Sequence, residues 1–428
     1  MMVKLKKIGQ DTFSSLRVRN FRLYFTGQVI STSGTFMQGV AQAWLVLKLT
    51  DSGTALGVVA ALQFLPILLL GPWGGIMADS FPKRKILYIT QSASGVLAIA
   101  LGILVVTGEV RLWMVYVMAL LLGLINTVDN PTRQTFISEM VGEDELKNAI
   151  TINASLMNLS RVIGPTIAGI IIVTLGLAPC FLLNGLSFLA VVLVLTLMNG
   201  KELHRARILR ARSGFLDGFR YILSKPILRM TLFMMAIIGT LSYEFQVSLP
   251  LIAQQTFHGD ARSYAALTAA MGVGSVVGGL TAAGSKKSGP RLVALVAFLF
   301  GGTILLSAIM PSLILTIMMM VLVGFFSIYF TSLGNTTMQL GSEPQMRGRV
   351  MAFWSMAFLG STAIGGPIIG FIGEYVGPRW GLGIGGLAAV VASILGLAVL
   401  QKEKTNFRLS EEIIATAQSM GNTDSRVL

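Results

Sequence analysis

Long stretches without a charged side chain, separated by short charged clusters, organise this chain. Runs free of Asp, Glu, Lys and Arg cover residues 23–47, 52–78, 86–108, 112–128, 162–200, 263–285, 292–342, 350–373 and 380–401. A membrane-spanning helix needs about 20 apolar residues, so most of these runs predict one helix each. Two are double length. The run 162–200 breaks at Gly176-Leu177-Ala178-Pro179, and 292–342 breaks at Met310-Pro311-Ser312, both helix-ending sequences. Two more spans each hold one ionisable residue: Arg161, between Ala149 and Leu175, and Glu244, between Met230 and Phe257. The pattern predicts an all-α membrane protein with twelve transmembrane helices.

Charge placement adds an orientation. Only 12% of residues are charged, against about 25% in a soluble domain. With the N-terminus inside, Lys48, Arg111, Arg262 and Arg379 fall outside, Arg161 lies within a span, and the remaining Lys and Arg fall inside. That is the positive-inside asymmetry, and it predicts a multi-pass protein of the cell inner membrane with both termini cytoplasmic. The net charge of +14 is then a topology signal, and nucleic acid is not an expected partner. The first span is too long and too polar for a cleaved signal peptide. One cysteine, Cys180, cannot form an internal disulfide, and two histidines cannot complete a Cys/His metal cluster. Neither a metal nor a cofactor is expected.

The chain divides into a six-helix half over 1–198, a basic linker over 199–229, a second six-helix half over 230–401 and a polar tail over 402–428. The linker segment from Phe215 to Leu223 has helical apolar spacing and is expected along the inner membrane surface. The halves echo each other. Gly75 with Lys83-Arg84-Lys85 matches Gly279 with Lys286-Lys287, Asn130 to Gln134 matches Asn335 to Gln339, and Gly164-Pro165 matches Gly366-Pro367. Two pseudo-symmetric halves are one organisation of secondary transporters, with cargo bound at the repeat interface near the midplane.

Gly71, Gly75 and Asp79 recur every four residues and share one helix face. The glycines allow close helix approach. Asp79, at the inner end, can accept bonds from a helix N-terminus or an arginine. It thus predicts a conformational latch with Lys83 and Arg84, joined by Asp129 and Arg133 from span four; an ordinary helix end fits the spacing equally. This Gly-x-x-x-Asp with its basic cluster resembles the loop motif of the major facilitator superfamily, with Ser80 and Pro82 as departures and Ala283 where a second-half Asp would stand. Ser33 to Gln38, Leu45 to Thr50, Asp129 to Gln134, Ser160 to Pro165 and Arg347 to Val350 together resemble its branch of enterobactin exporters and macrolide-efflux-type proteins, over residues 17 to 400. The resemblance implies drug or siderophore export in exchange for protons. Some members carry an acid where Thr35 stands, so its absence here removes that position from the coupling scheme. The similar antiporter motif around Gly164-Pro165 favours efflux over uptake, although a bend needed only for packing also fits.

Candidate site residues follow. Arg161 is costly at membrane depth unless paired or hydrated, and shares a face with Asn153, Met157, Gly164 and Ala168. Its partner is either cargo or a carboxylate such as Glu244. Glu244, with Thr240 and Ser248 on its face and Tyr243 adjoining, is the first candidate for carrying a proton, with Asp129 next. Gln28, Ser31, Thr35, Gln38 and Gln42 form a polar stripe on span one, either a cargo path or glue between helices. Gly164-Pro165 and Gly366-Pro367 are expected helix kinks. The expected function is proton-driven export of a small amphipathic compound. A lipid or lysolipid flippase and a non-transporting receptor or assembly factor are the rivals. No Gly-x-x-x-x-Gly-Lys-Ser/Thr loop occurs, which disfavours an ATP-driven pump or an enzyme.

Overall fold

A computed structural model describes residues 14–204, 215–284, 289–343 and 345–424, with side chains described except at 215, 216 and 402–424. Arg205 to Arg212 of the linker, Lys286 and Lys287, and the tail's side chains lie outside the described residues. The first half comprises α1 (Arg19–Thr50), α2 (Gly53–Ser80), α3 (Lys83–Thr107), α4 (Leu112–Val141), α5 (Leu146–Leu175) and α6 (Ala178–Leu197). A short helix, Phe215–Ser224, precedes the second half. There α7 is broken into Pro226–Leu241, Phe245–Leu251 and a π-helical turn, Ile252–Thr256. Then come α8 (Ala261–Gly284), α9 (Pro290–Ile309) and α10 (Leu313–Leu340). The penultimate span, α11, runs as Arg347–Ser355, a π-helical turn Met356–Gly360, and Thr362–Tyr375, and α12 is Pro378–Asp424. No strand occurs among the described residues.

Eleven of these helices are long and apolar enough to cross a membrane. The twelfth, α1, is less apolar because it carries Gln28, Ser31, Thr32, Gln38 and Gln42, all of them buried within the bundle. Both double-length runs divide where the breakers stand. Gly176 ends α5 with a positive φ of 85° that favours glycine, and Ser312 caps α10 by accepting from the Leu315 N–H.

Each half uses the same packing scheme. In the first, α2 packs on α4 and α3 on α6; in the second, α8 packs on α10 and α9 on α12. Small residues set these distances, as expected where apolar burial gives little drive between helices. A Cβ on Gly74 or Gly123 would strike the backbone of α4 or α2, and one on Gly274 or Gly324 would do the same between α8 and α10. The halves meet along two seams, α2 against α11 and α5 against α8. The short helix Phe215–Ser224 packs on α11. Gly218 abuts Arg349, and the Phe219 and Phe353 rings lie 5.6 Å apart.

Candidate functional site

The α2–α11 seam is closed at one end of the bundle and parts at the other. Gly53 and Gly57 of α2 touch the Gly370 and Gly366 carbonyls of α11, and Leu68 still reaches Gly360. Beyond that point Gly71 and Gly75 face open space, as does Gly348 on α11. On the other seam the contacts run from Gly169 beside Ala265, through the Arg161 carbonyl beside Gly272, to Asn158 beside Gly279. Between the halves lies a cavity of about 370 Å³. The parted stretch of the α2–α11 seam lies at the end of the bundle that carries the basic loops.

Arg161 lines this cavity from α5. Its guanidinium carbon lies 5.8 Å from the centre of the Phe36 ring, within cation–π range. Its Nε is buried with no hydrogen-bond partner. Met157 and Pro165 line the cavity with it, whereas Gly164 turns away to meet Ser33 and Phe36 of α1, and Ala168 is buried in the core. The expected common face is therefore split between cavity and helix contact.

Glu244 also lines the cavity and is 3% exposed. The continuous span expected around it is interrupted: α7 unwinds at Ser242-Tyr243-Glu244, and Glu244 precedes the new helical segment with φ −81° and ψ 40°. The break is held by the second half. Ser242 Oγ donates to the Gly385 carbonyl at 2.6 Å, and Tyr243 donates to the Ser327 carbonyl at 2.7 Å. The Tyr243 ring also packs against Phe300 and Phe358, each 5.2 Å away. The carboxylate lies over Gly365 and Gly366 of α11, with Thr362 as a hydrogen-bonding neighbour, and its Oε1 has no partner. No ion pair joins Glu244 to Arg161. The two ionisable groups line one cavity without pairing directly with each other.

Asp129 and Arg133 sit at the cavity's edge in the first half. Arg133 Nε donates to Asp129 Oδ2 at 2.7 Å, and Asp129 Oδ1 accepts from Thr90 Oγ1 at 2.6 Å and Gln91 Nε2 at 2.9 Å. Arg133 also donates to Gln28 Oε1 at 3.4 Å and Asn130 Oδ1 at 2.8 Å. Gln28 thus belongs to this network and not to the cavity wall, where Thr35, Gln38 and Gln42 do stand. Gln38 accepts from Asn184 Nδ2 at 2.7 Å. Asp129→Ala would leave Arg133 without its carboxylate, and breaking such a pair costs about 3 kcal/mol. A marked loss of thermal stability in detergent is expected, with Asp129→Asn milder; an unchanged melting temperature for the Ala variant would show the network to be dispensable.

The latch residues are not gathered together here. Asp79 is exposed with no partner among the described residues. Lys83 pairs instead with Glu139 at 2.6 Å, Arg84 donates to the Thr196 carbonyl, and Arg133 serves Asp129. The physical reason is the parted seam: α2 has no neighbour along its Gly71–Gly75 face. Pro165 and Pro367 stand inside helices that continue through them. Their glycines make contacts, Gly164 with α1 and Gly366 with α2.

Sequence reasoning missed several cavity residues: Gln63, Gln91, Asn126, Asn184 and Gln246. Gln63 and Asn184 are lone polar residues in apolar runs, the signal that singled out Arg161 but without a charge, whereas Gln91, Asn126 and Gln246 stand among other polar residues. Among the described residues no cluster of His, Cys, Asp and Glu could hold a metal ion.

The sequence profile of a family described as transmembrane secretion effectors matches residues 10–417. The chain is similar to the staphyloferrin A transporter of Staphylococcus aureus (strain NCTC 8325 / PS 47), 22% identical over 78% of this chain and 85% of that one. It is also similar to the enterobactin exporter EntS of Shigella flexneri, 25% identical over 93% of this chain and 96% of that one. Among solved structures, a bacterial homolog of the human lysosomal transporter Spinster, inward-facing and unoccupied, has a TM-score of 0.67 at 14% identity, over 89% of this chain and 95% of that one. That similarity is one of fold.

Proposed function

The chain belongs to the transmembrane secretion effectors of the major facilitator superfamily, and from that premise we propose that it exports a small amphipathic compound of drug or siderophore class, driven by inward proton movement through alternating access. The observation that carries this reading is the cavity between the halves, which Arg161 and Glu244 both line with no ion pair between them, and in which Arg161 Nε and Glu244 Oε1 are buried without a hydrogen-bond partner. Ionisable groups with buried, unpartnered polar atoms are expensive at membrane depth, and a cavity that keeps two of them has a use for each. In this reading Arg161 meets an anionic group of cargo, with Phe36, Phe64, Phe358 and Tyr243 supplying apolar wall. Glu244 carries the proton in this reading. Taking up a proton removes the charge from an enclosed carboxyl, and release follows when water reaches it from the other face.

The parted seam supports alternating access as well. In the opposite conformation α2 closes on the basic end of α11, and the free face of Gly71, Gly75 and Asp79 gains its neighbour. Asp79→Asn is expected to leave the protein folded and inserted but to slow turnover about tenfold, the scale of one lost charge-assisted bond. Normal transport by the Asn variant would sink the latch.

Reconstituted protein tests the whole reading. A panel of siderophores and cationic dyes loaded into proteoliposomes should reveal a compound that leaves in a pH-gradient-dependent way. Movement of a fluorescent lysolipid instead, with none of the panel carried, would replace export with lipid flipping.

A further inference from the structure

Side-chain hydrogen bonds from the second half reach the short turn that joins α1 to α2 and the first turn of α2. Glu374, in the last turn of α11, accepts from Ser52 Oγ at 2.6 Å and from the Thr54 N–H at 2.8 Å through a single oxygen, Oε2. From the π-helical turn of α7, Gln254 donates to Asp51 Oδ1 at 3.1 Å and Gln255 to the Asp51 carbonyl at 3.5 Å. The first turn of any helix leaves N–H groups unpaired. Here Ser52 satisfies one of them itself, by accepting from Ala55, and a carboxylate from the other half takes Thr54. Directly behind the carboxylate, the backbones of Gly53 and Gly370 touch.

We propose that Glu374 is the positioning residue that holds this end of the cavity shut, acting as a detachable N-cap for α2 supplied by the opposite half. A carboxylate at a helix N-terminus is favoured by the helix dipole as well as by the bonds. The anchor is one-sided. At the place on α5 that matches Glu374 through the Gly164-Pro165 and Gly366-Pro367 repeat stands Ile172, which can accept no such bond. The second seam closes instead on Gly169 and Ala265. When the gate opens, Thr54 and Glu374 part, and both find water. The bond therefore weights the balance between conformations without making opening prohibitive. The inference rests on the alternating-access reading above.

The test uses spin-label distances in the purified full chain in nanodiscs. Cys180 is fully buried in α6 and stays. One label pair, at Glu109→Cys and Pro311→Cys, reports the closed end; a second, at Asp144→Cys and Gln345→Cys, reports the basic end. Glu374→Ala should raise the ratio of long to short closed-end distances about tenfold, with the basic-end pair shortening in step. Glu374→Gln, which still offers an acceptor, should fall between it and the parent. Distances identical to the parent in both variants would overturn the proposal. Gly57→Leu, which wedges α2 off Gly366 regardless of Glu374, separates the two readings. A reciprocal shift in that variant, with none in the Glu374 variants, refutes the anchor alone. No reciprocal shift in any variant refutes alternating access with it.

Discussion

Glu244→Gln is expected to abolish cargo-linked proton movement while cargo is still bound. Gln matches the acid in shape and can still meet Thr362, so the break in α7, held by Ser242 and Tyr243, should survive. What is lost is a group that changes charge. Proteoliposomes containing a pH dye would report proton flux on adding cargo, and equilibrium binding would be measured separately. Cargo-linked flux should fall at least about tenfold, with affinity changed by less than about threefold. Unchanged flux would move the proton elsewhere. Asp129 would then be a poor second choice on geometric grounds, since three donors hold it already.

Arg161→Ala is expected to weaken cargo binding by about 10- to 100-fold, the range that goes with losing hydrogen bonds to a charged group. Arg161→Lys should retain part of the affinity, because it keeps the charge but not the planar fork. Stability should respond much less. The guanidinium Nε has no partner to strand, and the contact with Phe36 is the principal one lost. The double variant, Arg161→Ala with Glu244→Gln, separates the two possible partners. No ion pair joins these residues, so their effects on melting temperature should simply add. A double variant markedly more stable than Glu244→Gln alone would mean that they do neutralise each other in the membrane. An Arg161→Ala protein that binds and couples like the parent would remove Arg161 from the site.

The helices and their ends were legible in the sequence because they depend on local chemistry. Gly176 and Ser312 act on their own turns, and the charge-free runs between loops follow from the thickness of a bilayer. The repeat was legible for the same reason, since Gly164-Pro165 and Gly366-Pro367 occupy equivalent helices. What stayed hidden depends on which helices meet. The face shared by Gln28 and Thr35 on α1 could not show that Arg133 takes one of them into a network away from the cavity. Asp79 and Arg133 read as neighbours because both lie near helix ends beside the basic loops, but the parted seam leaves the first without a neighbour and Asp129 claims the second. The break at Ser242-Tyr243-Glu244 had no glycine or proline to announce it. It is stabilised by carbonyls of Gly385 and Ser327, from helices far along the chain. Glu374 passed as the ordinary end of a charge-free run, because its significance lies in Thr54 of the other half.

The glycine seam also bears on how this molecule responds to heat. At its closed end the halves touch through the peptide groups of Gly53, Gly57, Gly366 and Gly370. Parting them uncovers polar backbone more than hydrocarbon. Heat-capacity change scales with the apolar surface exposed and is offset by polar surface. The enthalpy of switching should therefore vary little with temperature, and the conformer ratio should give a nearly straight van't Hoff plot between about 5 and 40 °C. Strong curvature would mean that side-chain hydrocarbon elsewhere along the seams dominates the switch.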